Sequence, residues 1–433
     1  MIRLRALAAR PLLAYDGAAT NPSVALSAPA SPSGNLFASS PFLLFLSSRT
    51  FSSMAFQGTG VAVGWLVYDR TRSPFDLGLI GLCQFLPMVV LTFVVGHVAD
   101  QFDRRRIALV CQILEVITLA VMSHGVLQGW LGLPAIFAAM VVLGATQAFE
   151  RPTMAALLPG IVTAEQLPRA IANSTSAMQV AMVLGPAFAG VLYGVGPLVP
   201  FVVAAAFFAI AAVSVLFIRH LGFVPRREPV TLSAVFAGAA FIRSRPVMLG
   251  TISLDLFAVL LGGATALLPA FARDILMAGP IGLGLLRTAP AIGAVAMSLW
   301  LGRFPLRTHV GLTMLWAVAV FGIATIGFAL STSIPLSVVL LAVLGAADTI
   351  SVVVRTSLVQ LLTPDAMRGR VNAINSLFIG TSNQLGEFES GLVAAVTGPV
   401  WAVALGGLGT LAIVLLWTRL FPALPKVQTF GEA

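Results

Sequence analysis

Charge is what this chain has least of. Of 433 residues only 9% are charged and 58% are hydrophobic, with a mean hydropathy of +0.98. That excludes a soluble globular fold of this length and leaves a polytopic membrane protein. Cysteine is nearly absent: Cys83 and Cys111 both lie in apolar stretches, which indicates neither a disulfide framework nor a metal site. Lysine occurs once, as Lys426 before Val427, so there is no Gly-Lys-Ser/Thr phosphate loop. His-Glu-x-x-His and Gly-x-Ser-x-Gly are also missing, which argues against an ATP-driven pump or a membrane enzyme. A net charge of +9 would suggest nucleic acid in a soluble protein. Here the arginines sit in loops between apolar spans, where topology explains them and no nucleic acid is implied.

What is present is a repeat. Arg151-Pro-Thr-Met-Ala-Ala-Leu-Leu leads through Asn173-Ser174 to Gly185, Gly190 and Gly196-Pro197, and Arg355-Thr-Ser-Leu-Val-Gln-Leu-Leu leads through Asn375-Ser376 to Gly386, Gly391 and Gly398-Pro399. The offset is 204 at the arginines (355 minus 151), 202 at Asn-Ser and 201 at the first two glycines. Gly81 and Pro87 recur as Gly284 and Pro290, at 203. A steady offset through apolar sequence means two homologous bundles fused in parallel, a common plan for secondary transporters.

A crossing helix needs about 20 mostly apolar residues. That rule places spans at 42–68, 76–98, 107–128, 133–156, 168–194 and 198–218, then at 247–271, 281–302, 309–330, 334–356, 369–397 and 399–421. The fold class is an all-α membrane protein of twelve transmembrane helices in two pseudo-symmetric six-helix bundles. The expected organisation is a disordered cytoplasmic tail at 1–40, bundles at 41–220 and 246–421, a cytoplasmic linker at 221–245 and a cytoplasmic tail at 422–433. Residues 1–40 have some of the Arg- and Ser-rich, acid-poor character of a transit peptide but no continuous apolar core. With these spans, twenty of the 25 basic residues fall on one side and three (Arg70, Arg72, Arg273) on the other, with Arg49 and Arg287 inside spans. The positive-inside rule then puts both termini in the cytoplasm.

The loop after the second span reads Gly96-His-Val-Ala-Asp100-Gln-Phe-Asp103-Arg104-Arg105-Arg106. It resembles the major facilitator superfamily signature Gly-x-x-x-Asp-(Arg/Lys)-x-Gly-Arg-(Arg/Lys), matching at Gly96, Asp100, Arg104 and Arg105 and departing at Gln101 and Asp103. Asp-Arg-Arg is the usual ending in the enterobactin-exporter-like branch. Thr363-Pro-Asp-Ala-Met-Arg368-Gly-Arg370, continuing to Asn383-Gln384-Leu-Gly386-Glu387-Phe-Glu389-Ser-Gly391, resembles that branch closely. The resemblance implies a conformational latch at Gly96, Asp100, Arg104 and Arg105. There the aspartate would face helix N-terminal amides and the arginines would complete a charge cluster broken as the halves rock. The second half's counterpart, Gly302-Arg303 to Arg307, lacks the aspartate, so a latch is one-sided. In the fifth span Ala181 to Gly190, with Gly185, Pro186 and Gly190, resembles the helix-packing antiporter motif of exporters. No mid-membrane arginine marks the fourth span; Glu150-Arg151 stand at its end.

Charges inside spans cost roughly 2.5–3.5 kcal/mol each on insertion scales, so the survivors face the protein interior or a water-filled cavity. The candidates for substrate or proton handling are Arg49, Asp255, Asp348, Arg287, Glu387 and Glu389. The resemblance puts spans 1, 4, 7 and 10 around a central cavity, where Arg49 is expected to neutralise Asp255 or Asp348. Glu115 is expected to partner a loop arginine. The function that follows is export of a small molecule (siderophore, drug or metabolite) by a proton-coupled transporter working by alternating access. It would be a multi-pass monomer in the cell membrane, the inner membrane if bacterial, with no cofactor. Uptake by the same fold and a non-transporting receptor or assembly factor are the alternatives.

Overall fold

The computed structural model describes residues 36–218 and 232–430, apart from some side chains within helices, Gly96 and Asp100 among them. Every regular element there is helical: α1 (Ser40–Thr71), α2 (Pro74–Gln101), α3 (Arg104–Gln128), α4 (Leu133–Leu157), α5 (Leu167–Val195), α6 (Val199–Phe217), α7 (Leu232–Arg243), α8 (Pro246–Leu261), α9 (Leu268–Ala270), α10 (Gly279–Arg303), α11 (Val310–Leu330), α12 (Ile334–Leu362), α13 (Asp365–Thr397) and α14 (Pro399–Leu420). Proline near the start of most of them presets φ where the missing N–H has no partner to lose. Ser73 accepts from Asp76 N at 3.3 Å to cap α2, and Asp103 accepts from Arg105 N at 2.9 Å to cap α3. Gly129 ends α3 at φ 75°, a conformation that favours glycine.

Among the described residues ten helical stretches are long and apolar enough to cross a membrane. The two long helices outside that set are α1, which carries Arg49, Asp69 and Arg70 among many hydroxyls, and α13, which carries Glu387 and Glu389. Large apolar side chains point outward across the surface, Val195 at 75% exposure and Leu299 at 72% among them, which suits a lipid solvent.

Helix pairing repeats between halves. In the first, α1 packs on α5 and α6, α3 on α4 and α6, and α2 on α4; in the second, α8 packs on α13 and α14, α11 on α12 and α14, and α10 on α12. The halves meet where α5 packs on α10 and α2 on α13. Glycines set these approaches: a Cβ at Gly190 would lie 2.7 Å from Gly284 Cα, and one at Gly391 would lie 2.7 Å from Gly78 Cα. Thr288 Oγ1 also crosses from α10 to Val183 O on α5 at 3.2 Å.

Four features differ from the sequence reading. The expected single span 247–271 is broken: α8 stops at Leu261, Gly262-Gly263 interrupt it, and 3-10, α and π turns carry the chain to Ile275. Gly263 sits so close to Gly386 O and Ser390 Oγ of α13 that no side chain fits there. The linker contains α7, which packs on α13 through Gly238 and Ile242; Arg219, Arg226 and Arg227 lie outside the described residues. Residues 36–40 are structured, with Leu36 buried in a 3-10 turn before α1. Residues 422–430 fold back on the second half, burying Leu424 and Val427, and Val427 O and Gln428 O accept from Gly311 N at 3.1 Å and Val310 N at 3.3 Å.

Candidate functional site

Two polar clusters occupy equivalent places in the two halves. In the first, α1, α3 and α4 surround Glu150, which is buried beside the equally buried Glu115. Glu150 Oε1 accepts from Ser52 Oγ and from Gln112 Nε2, both at 2.8 Å, and Oε2 accepts from Gln147 Nε2 at 2.9 Å. The same Gln147 Nε2 reaches Glu115 Oε1 at 3.3 Å, and its Oε1 accepts from Arg151 Nε at 2.9 Å. Gln112 Nε2 donates to Ser48 Oγ at 2.9 Å as well. Among the described residues Glu115 therefore meets no loop arginine. It lies a helical turn beyond Gln112 on α3, facing α4, and shares its donor with Glu150. Glu150-Arg151 lie about two turns short of the end of α4, which runs to Leu157, one residue past the expected 156.

In the second half Asp255 of α8 forms a buried ion pair with Arg355 of α12 and accepts from Ser351 Oγ at 3.0 Å. Asp348 lines a small pocket with Asp255 and Ser351, against Phe321. This corrects the expected pairing of Arg49 with Asp255 or Asp348. Arg355, counted from sequence only as a basic residue of one side at the end of the span 334–356, lies inside α12 at 3% exposure and takes Asp255 itself. Arg49 instead donates from Nε to Met178 Sδ of α5 at 2.9 Å and lies 6.0 Å from the Phe45 ring.

Residues from α1, α4 and α5, Arg49, Gln57, Arg151 and Met182 among them, line a cavity of about 230 Å³ beside the first cluster. Elsewhere, Arg287 of α10 and Glu387 of α13 feel each other's charge, and Arg287 Nε is buried without a hydrogen-bond partner. Glu387 packs over Gly81 of α2, where a Cβ would lie 2.9 Å from its Oε2. Glu389 accepts from the neighbouring Ser390 Oγ at 3.5 Å, and so does not share the Glu387 contact.

A third cluster, unforeseen from sequence, joins the halves at the end of the molecule that carries the α1–α2 turn. Tyr68 Oη donates to Asp274 Oδ2 and Arg72 Nη1 pairs with Asp274 Oδ1, each at 2.6 Å. Arg273 pairs with Asp69 and lies 5.7 Å from the Trp65 ring. Sequence reading had used Arg70, Arg72 and Arg273 only to orient the chain. The signal was there: Arg70 and Arg273 are repeat mates (273 minus 70 is 203), each with an acid beside it.

At the opposite end Arg104 Nη1 donates to Ala156 O at 3.1 Å, and Arg105 Nε donates to Val215 O at 3.1 Å. These contacts hold α3 to the last turns of α4 and α6, where a cation meets unpaired carbonyls. Of the packing motif, Gly185 faces α1, with a Cβ there 3.0 Å from Gln57 Cβ, and Gly190 faces α10. Pro186 lies buried between them within an unbroken α5.

Comparison with known proteins fits this arrangement. Among curated proteins the chain is 28% identical over 388 residues to the multidrug efflux pump Tap of Mycolicibacterium fortuitum, covering 83% of this chain and 90% of that one. It is 26% identical over 401 residues to the enterobactin exporter EntS of Citrobacter koseri, covering 88% and 92%. Among solved structures, a bacterial homologue of the iron transporter ferroportin in its inward-facing state superposes with a TM-score of 0.68 at 16% identity, covering 91% of this chain and all of that one. A bacterial homologue of the lysosomal transporter Spinster, inward-facing and occupied, gives 0.70 at 13%, covering 91% and 98%. Residues 37–430 match the family described as transmembrane secretion effector, so this multi-span membrane protein belongs to that branch of the major facilitator superfamily of transporters.

Proposed function

We propose that the chain is a secondary transporter that exports a small molecule across the cell membrane by alternating access, coupled to proton movement. The observation that carries it is the Tyr68–Asp69–Arg72 to Arg273–Asp274 clasp. It closes one end of the molecule across the two halves, while buried charged clusters and a cavity lie deeper in the bundle. On this reading α1 and α13 also cross the bilayer, their polar residues turned inward, which makes twelve crossings with both termini cytoplasmic. Counting Arg151 and Arg355 inside helices and not with one side lowers the majority from twenty to eighteen basic residues against three, so the asymmetry that sets orientation persists. The clasp then faces outward and the molecule is shut to the outside. Export as the direction is supported by the printed roles of Tap and EntS, an efflux pump and an exporter.

Asp255, Asp348 and Glu387 are the proposed proton-handling carboxylates, and Glu150 joins them. Gly96 and Asp100, with Arg104 and Arg105, form the proposed latch opposite the clasp. The test is the purified protein in vesicles under an imposed pH gradient, with a panel that includes a siderophore and a lipophilic cation. At least one compound should move with the gradient and stop when a protonophore collapses it. Asp100→Asn should slow that flux about tenfold or more with the protein still inserted, a loss typical of a conformational contact. A panel that stays still with the gradient intact defeats the transport reading.

A further inference from the structure

The first-half cavity is lined by two cations, Arg49 and Arg151, and by one carboxylate, Glu150. Both arginines feel the charge of Glu150, and Arg49 also feels that of Arg151. Among the described residues neither is in an ion pair: Arg49 has Met178 Sδ and the Phe45 ring, and Arg151 has Gln147 Oε1 at 2.9 Å and the Phe56 ring at 5.5 Å. Glu150 offsets one of the two charges, but its oxygens accept from Ser52, Gln112 and Gln147 and pair with neither guanidinium, so one positive charge in the lining has no counterpart there. An unpaired guanidinium in a membrane interior is costly, and two near each other cost more. The arrangement is relieved by a negative charge from outside the chain.

The remaining lining says what should carry that charge. Met154, Met178, Met182 and Phe56 contribute thioethers and a ring, surfaces that adapt to an apolar body of varied outline. Ser53 and Gln57 add neutral hydrogen-bonding groups. We infer that the cavity is a substrate site for a small organic anion with an aromatic or similarly apolar body, its acid group held between Arg49 and Arg151 and its body against the methionines and Phe56. A planar guanidinium pairs with an oxyanion through two parallel N–H donors, which a lysine cannot copy. This rests on the transporter reading above and gives it a substrate class.

Binding, measured apart from transport, separates the two. The full chain in detergent is titrated by equilibrium dialysis with three probes of one ring system: 2-naphthoate, 2-naphthamide and 2-naphthyltrimethylammonium. The anion should bind about tenfold or more tightly than the amide, and the cation weakest, as expected for a charge-assisted contact. Arg49→Gln and Arg151→Gln should each remove about tenfold of the anion's affinity while leaving the amide's unchanged, with Arg49→Lys intermediate. Arg303→Gln, at the exposed end of α10, should change nothing. Matching elution profiles and melting temperatures show that each variant is folded. Equal binding of the three probes, or an anion preference that survives the double variant, overturns the anion site even if the vesicles still carry a lipophilic compound. An anion preference in protein that moves nothing would leave a binding site and defeat the transport reading alone.

Discussion

Asp255 and Ser52 occupy equivalent positions in the repeat (255 minus 52 is 203), and so do Ser351 and Gln147 and, one turn on, Arg355 and Arg151, each pair 204 apart. The second half balances its arginine with a buried aspartate, while the first satisfies its glutamate with neutral donors and leaves its arginine to the cavity. Asp255→Ala would strand Arg355, and breaking a buried pair by removing one partner costs about 3–5 kcal/mol. Thermal unfolding of the purified variant should show that loss, and Asp255→Ala/Arg355→Ala should recover more than half of it. A double variant no more stable than the single one would mean that the pair does not carry the cost. The existence of these ionisable residues was legible in the sequence, and the repeat even aligned the two arginines. Their partners were not, because hydropathy marks where a span lies but not what a side chain near its end meets, and Arg355, one residue from the end of the span at 334–356, was counted only as a charge on one side.

For whole helices, periodicity and proline served well: the spans read from sequence overlie α1 to α6, α8 and α10 to α14, with ends shifted by several residues. What escaped was the Gly262-Gly263 break, since a glycine pair inside an apolar run leaves hydropathy almost unchanged. Glycine marked the helix crossings better, because close backbone approach needs the missing Cβ. At Gly190 the α5 backbone meets Gly284 and Pro280 of α10, with a Cβ only 2.8 Å from Pro280 O. Gly190→Leu should lower stability by about 1–3 kcal/mol through overpacking and cut vesicle transport, with Gly190→Ala milder. Gly302→Leu, where a Cβ would meet nothing within 4 Å, is the tolerated control. If Gly190→Leu melts and transports like the wild type, α5 and α10 do not approach this closely in the membrane.

Across the molecule, the proposed alternating access requires that the clasp be temporary. Exposed ion pairs are each worth about 1 kcal/mol or less, which suits a contact that must open in every cycle. With Cys83 and Cys111 replaced by alanine, the pair Asp69→Cys/Arg273→Cys should cross-link across the halves under mild oxidation, stop transport, and regain it on reduction. Undiminished flux through the cross-linked protein would show that this end does not open. The second half also depends on a contact made late. His309, which precedes α11, has a left-handed backbone (φ 56°) and gives no side-chain cap, so the amides of Val310 and Gly311 are satisfied by carbonyls from Val427 and Gln428. Those carbonyls lie more than a hundred residues downstream (428 minus 310 is 118). Until those residues are made, the leading amides of α11 have only water to satisfy them. The ribosome must make nearly the whole second half before the start of α11 gains these protein partners.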